Sequence, residues 1–185
     1  MSAWELPTSL CVGGENWNIR TDFRAILDIL KYFSDPEYED VRWDICLDIL
    51  YEDYGDMPYR LRQEAAEKAI DFIDMGMKDD GRRKPHSMDW EQDAPIYIPA
   101  LNRVLGKEIR SVAYLHWWTF LGAYMEIGEC LFSQVLNIRQ KKMSGKKLEK
   151  WEQKFYRDNK ELVDLKKKYT EAEKAEQERL LSLLD

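Results

Sequence analysis

The sequence predicts a mostly α-helical protein: a compact helical bundle around one central tryptophan-rich helix, with a short N-terminal β-hairpin and a long C-terminal helix. Three observations lead there. Residues 111–126, from Ser111 to Glu126, are apolar or aromatic almost all round a helical cylinder, which marks a helix covered on several sides. Stretches on either side of it repeat apolar residues every three or four positions. Only residues 6–19 carry a convincing strand signal.

In the central stretch His116, Thr119 and Glu126 form a thin polar line, three and seven residues apart. Leu115, Trp117, Trp118, Phe120 and Leu121 are its candidate core residues, joined from outside by Trp90 and Tyr97. Each large aromatic ring of this group buries roughly 150–250 Å².

Taken from the start, Leu10-Cys11-Val12 and Trp17-Asn18-Ile19 flank Gly13-Gly14-Glu15-Asn16, two short apolar runs around a Gly-rich turn. A lone hairpin is marginal in water, so this one must lie on the helical body. Thr21 or Asp22 opens a helix with Phe23, Ile26, Leu27, Leu30 and Phe33 inward, closed by Ser34-Asp35-Pro36. A second runs from about Tyr38 to Tyr51, with Val41, Trp43, Ile45, Cys46, Ile49 and Leu50 inward. Its other face carries Asp40, Asp44 and Asp48; with no histidine nearby, these read as a solvated surface rather than acid–base or metal groups. A third helix, about Tyr59 to Met75, buries Leu61, Ala65, Ala69, Phe72 and Ile73 and ends at Gly76.

Residues 78–88 form a polar connector and are the best candidate for a mobile loop. Asp89 and Gln92 have capping-box spacing and open the fourth helix. Pro95 and Pro99 each remove an amide donor, so this helix is expected to kink or restart there before ending at Gly106. Beyond the central helix, Ile127-Gly128 turns the chain, and Cys130 to Arg139 forms a short helix with Leu131, Phe132, Val135, Leu136 and Ile138 inward. From Lys146 onward there is neither proline nor glycine. Leu148, Trp151, Phe155, Leu162, Leu165, Tyr169 and Ala172 follow a three–four alternation, with Asp158 in the one missing seat. That spacing suits a rod of roughly 60 Å laying a seam against another helix. The seam from Leu148 to Tyr169 is the candidate partner-binding surface, with a groove beside the central helix as the alternative; the seam either folds back on its own body or forms an arm gripping another chain.

The length of 185 residues fits a helical domain over 1–140, with its hairpin at 6–19, and a C-terminal helical extension over 141–185. An apolar fraction of 44% supplies a core. Net charge is −7 but uneven: residues 141–185 hold 13 Lys+Arg against 10 Asp+Glu, leaving 15 against 25 in the rest. An acidic body argues against general nucleic-acid binding and suits a partner carrying positive charge. Cys11, Cys46 and Cys130 have no short spacing, which argues against a disulfide framework or a zinc site and fits a reducing cytoplasm. No secretory signal and no membrane span are visible.

The equipment of an enzyme is missing. The two histidines are His86 and His116. His116, beside two tryptophans, reads as structural. His86 with Asp79, Asp80 and Asp89 is a poor metal set without a helical or strand frame. There is no phosphate-binding glycine loop. No catalytic residue, cofactor or metal ligand is therefore assigned, and a non-enzyme is expected.

Asp89-Trp90-Glu91-Gln92-Asp93-Ala94, then Ile96-Tyr97, then Leu115-His116-Trp117-Trp118-Thr119-Phe120 resemble a tailed-phage family conventionally called "gp fifteen". Glu5 to Ser9 leading through a hairpin into Ile19 to Arg24, and Phe132-Ser133 through Ile138-Arg139, echo the same family. Together these echoes cover most of residues 5–160. Departures are Pro95, Pro99 and Ile138, the last where an aromatic is common. The resemblance implies a phage or prophage tail-morphogenesis protein, of the group called tail assembly chaperones, acting beside the tape-measure protein in the host cytoplasm. It brings no catalytic residue and no cofactor. The partner expected is a tape-measure or other tail protein, with a homo-oligomer also open. A minor tail component kept in the virion is the first alternative, and a nucleic-acid-binding regulator using the basic residues 139–147 the second.

Overall fold

A computed structural model describes residues 4–77 and 87–182. The expected connector at 78–88, with His86 and its candidate metal set, falls mostly outside them. Strands β1 (Ser9–Val12) and β2 (Glu15–Asn18) pair antiparallel with Leu10 opposite Trp17. Gly13 and Gly14 both have positive φ, +61° and +84°, which lets a two-residue turn follow the twist of the strands. Leu10 and Val12 point into the body and are buried.

Helices α1 (Phe23–Ser34), α2 (Arg42–Leu50) and α3 (Arg62–Ile73) pack in sequence, α1 on α2 and α2 on α3. Asp22 caps α1 by accepting the Arg24 amide at 3.0 Å. Two of these helices are shorter than expected because short 3-10 turns precede them, at Pro36–Tyr38 and Tyr59–Leu61. In α2 the inward residues are Cys46, Leu47 and Leu50, while Val41 and Trp43 are exposed. Ile45 and Ile49 are half-buried with them, so the expected face holds except at Val41, which precedes the helix, and Trp43 in its first turn.

Pro95 and Pro99 do not break α4, which runs continuously over Ala94–Leu105 to a left-handed Gly106. Pro95 lies in the first turn, where its missing amide has no helical partner to lose. Pro99 leaves one carbonyl, that of Pro95, without its amide, and both prolines sit on the exposed side, where water reaches that carbonyl.

The central helix α5 begins at Trp117, not Ser111, and ends at Met125. Residues 115 and 116 are held extended instead: the Phe23 amide donates to Leu115 O at 2.9 Å and the Trp117 amide to Thr21 O at 2.7 Å, around a bridge between Asp22 and His116. His116 then caps α5, its Nδ1 accepting the Trp118 amide at 3.0 Å; Nε2 therefore carries the proton and donates to Pro7 O at 3.0 Å. The two following indoles close the end of α3. Trp117 Nε1 donates to Ile73 O and Trp118 Nε1 to Phe72 O, both at 2.8 Å. Carbonyls in the last turn of a helix lack the usual helical partner; the Phe72 carbonyl also takes the Met75 amide at 3.1 Å, and the indole of Trp117 serves the Ile73 carbonyl. All seven expected core residues pack in one apolar core: Tyr97, Leu115, Trp117 and Phe120 are buried, and Trp90, Trp118 and Leu121 are half-buried against them. Phe23 stacks on Phe120 with centroids 4.8 Å apart, and Trp90 meets Tyr97, Trp117 and Tyr124 edge-on or tilted.

Helix α6 (Leu131–Met143) presents Phe132, Val135, Ile138 and Arg139 inward, while Leu131 is exposed. The expected 40-residue C-terminal rod is broken into α7 (Lys150–Asp158), α8 (Lys160–Val163), a non-helical strap over 164–170, and α9 (Glu171–Ser182). The first break falls at Asn159, next to the seam's missing seat; Asn159 has φ −132° and its side chain donates to Phe155 O at 3.0 Å. Beyond it, side chains of the body bond the backbone of 162–166 and outcompete a continuing helix.

Candidate partner-binding site

Two features distinguish the surface: a locked C-terminal strap and an apolar groove. The strap is organised by the acidic box 89–93. Asp93 is 1% exposed and forms a two-point ion pair with Arg139, itself 3% exposed, at 2.7 and 2.8 Å. The same guanidinium donates to the carbonyls of Ser87, Leu162 and Val163. Arg139 thus satisfies its own burial and ends α8 in one place. The Gln92 amide bonds the strap in both directions, donating to Asp164 O and accepting the Lys166 amide, each at 2.9 Å. This replaces the expected capping box: Asp89 accepts the Gln92 amide, but Gln92 reaches away to the strap and Asp93 accepts the Asp89 amide.

Lys168 pairs with Asp89 at 3.0 Å and donates to Ser34 Oγ at 2.9 Å. Burial raises the Asp89 pKa, but the Gln92 and Glu91 amides and Lys168 outweigh it and hold the carboxyl below its ordinary value. Asp164 behaves alike: burial is opposed by Lys142 at 2.6 Å and by the Tyr156 hydroxyl, and the net direction is down.

The seam residues are accounted for as follows. Leu148, Phe155 and Leu162 are half-buried against Val135, Ile138 and Val163, a second small core between α6 and α8. Leu165 and Tyr169 lie half-buried in the strap. Trp151 alone of the set points outward, 53% exposed. The seam from 148 to 163 is therefore folded back on its own body.

The open apolar surface lies elsewhere, beside the central helix. Pro7, Leu10 and Cys11 of the hairpin, Phe72 and Gly76 at the end of α3, and Trp118 line a cavity of about 270 Å³, with Lys68 and Asp71 at its polar edge. Leu6 and Met77, chain neighbours of two lining residues, are exposed. Cys11 is the exposed thiol; Cys46 is buried, and burial pushes its pKa up to about 12. Tyr97 and Tyr124 are likewise pushed up to about 12 by burial. Sequence reasoning missed Arg139 and Gln92. The signal available was a basic residue at helical spacing within an otherwise apolar face of α6, and it reads as a surface charge until its partner is known.

A family model described as bacteriophage Gp15 protein matches residues 4–165. The chain belongs to the bacteriophage Gp15 protein family. It is thus a phage protein, and the matched region takes in the hairpin, the acidic box, the His-Trp-Trp element and Arg139, stopping within the strap. No curated protein and no solved structure matches this Gp15 family member. Among the described residues no helix is long and apolar enough to cross a membrane.

Proposed function

We propose that this Gp15 family member is a non-enzymatic tail assembly chaperone that covers helical segments of the tape-measure chain during tail building. The observation that carries this reading is the apolar groove beside α5. Its volume suits one or two large side chains of a docking helix, and anchor pockets of this kind supply most of the energy of an interface. A long helical client exposes apolar seams until it is assembled, and a partner that covers them keeps it from aggregating. Asp71 lines the groove beside Lys68, with Glu67 one turn earlier on α3 and Glu64 accepting the Gly13 amide at 3.1 Å, and these carboxylates favour a client helix with basic flanks. Two indoles fix the groove's wall to α3, so the pocket is preformed.

Co-expression with the tape-measure chain tests the reading. The client gains solubility and elutes with this protein, and Cys11→Trp, which fills the cavity from an exposed position, abolishes the complex. Unchanged client solubility with no co-eluting complex ends the proposal.

A further inference from the structure

The outward face of α7 is exposed. Glu152, Phe155 and Tyr156 turn inward, and Glu152 is fully buried on Lys141 at 2.6 Å. Lys150, Lys154 and Arg157 fall together on the opposite face at helical spacing, with Trp151 exposed beside them and Lys146 and Lys147 just upstream. An exposed tryptophan among cations is a ready interface anchor.

The complement of that face is on the same chain. Residues 35–56 hold nine Asp+Glu against one Arg. On α2, Asp44 and Asp48 point outward with Asp40 just ahead of the helix, and the exposed apolar side chains there are Val41 and Trp43. The two faces rest on separate groups of elements: α2 packs on α1 and α3, whereas α7 packs on α8, which packs on α6. Intramolecular pairing leaves most of both faces open. Asp44 takes bonds from Tyr54 and Arg62, and among the described residues Arg157 pairs with its neighbour Asp158.

We propose that copies of this chain associate head to tail, the Trp151 face of α7 on one copy docking on the acidic face of α2 on the next. Unlike faces on one chain make a heterologous contact, which closes into a ring or extends as a row according to the rotation between copies. A second copy suits the basic face better than nucleic acid does, because the acidic body repels a polyanion. A row of such copies would carry one groove per protomer along an extended client.

Sedimentation velocity of the full chain, without any client, tests this apart from the chaperone reading. At low salt the wild type grows heavier with concentration. In 1 M salt, where the screening length is about 3 Å, it returns to monomer. Lys150→Glu with Lys154→Glu, and separately Asp40→Lys with Asp48→Lys, each stay monomeric while circular dichroism remains that of the wild type. The neutral pairs Lys150→Gln with Lys154→Gln, and Asp40→Asn with Asp48→Asn, each keep one intact face and create no new charge match, so their equimolar mixture forms a dimer and nothing larger. Each neutral pair alone is also monomeric, which covers a reversal that unfolds. A wild type monomeric at every concentration in low salt overturns the proposal, as does a mixture that stays monomeric or grows past a dimer. Retardation of single-stranded DNA by a monomeric wild type, lost in the Lys150/Lys154 variant, also overturns it and assigns the face to a phosphate backbone.

Discussion

Asp93→Ala is the sharpest perturbation of this fold. Both members of the Asp93–Arg139 pair are almost fully enclosed, and a guanidinium does not shed its proton to escape. Removing the carboxylate strands a positive charge among carbonyls, at a cost of about 3–5 kcal/mol, against a total of about 5–15 kcal/mol for an ordinary domain. With a urea slope of about 2 kcal/mol/M, the unfolding midpoint drops by about 2 M. Arg139 also holds the carbonyls of Leu162 and Val163, so the strap loosens with the pair and trypsin cuts first after Lys166, Lys167 or Lys168. The double change Asp93→Leu with Arg139→Met removes both charges and recovers part of the loss, although three carbonyls lose their donor. A midpoint shift below about 0.5 M for Asp93→Ala, or a double variant weaker than the single, would refute the assignment of the pair as the strap's lock.

Gln92→Ala removes both strap bonds while leaving the core untouched, so hydrogen exchange at the Lys166 amide speeds up while core amides of α5 keep their protection. Acid releases the strap. Asp89 and Asp164 are both held below the ordinary 3.8, so their contribution is fully present above that value and is lost as the pH falls through their lowered folded values. Carboxyl carbon resonances followed by NMR should titrate below 3.8, and midpoints at or above it contradict the contacts. Trp117→Phe keeps an apolar ring but leaves the partly buried Ile73 carbonyl without its donor, costing about 1–3 kcal/mol; Trp118→Phe costs less by thermal unfolding, since the Phe72 carbonyl keeps the Met75 amide.

The helical class, the hairpin and the aromatic core were legible because burial imprints periodicity. Leu10, Phe23, Ala65, Phe72 and Phe120 all lie where spacing puts them. The helix boundaries were less legible, and for one reason. At 111–116 and 159–170 the backbone bonds are taken by groups far away in the chain: Thr21, Asp22 and Phe23 in the first case, Gln92 and Arg139 in the second. Local propensity cannot register a competitor some twenty to ninety residues away. Pro99 failed in the opposite sense, since one lost bond on a wet face is too small to stop a helix already packed through Tyr97, Ala100 and Leu101. The seam was read correctly as apolar spacing, but spacing does not say whose surface completes it, and Val135, Ile138 and Val163 do so from within. A groove beside the central helix was open as an alternative, but its lining was not legible, because it is assembled from three separate stretches.

The short ladder joining residues 21–23 to 115–117 has a kinetic meaning. Asp22 accepts the Leu115 amide across 93 residues, and α1 and α5 both begin where that ladder ends. The first turn of the tryptophan helix is therefore fixed by an encounter between distant parts of the chain and not by its own neighbours. Each doubling of a closed loop adds only about 0.6 kcal/mol to the entropy of closure, but it must be met before any contact rewards it. Substitutions in the ladder should slow refolding more than they speed unfolding, and this protein should fold more slowly than its helical content alone suggests.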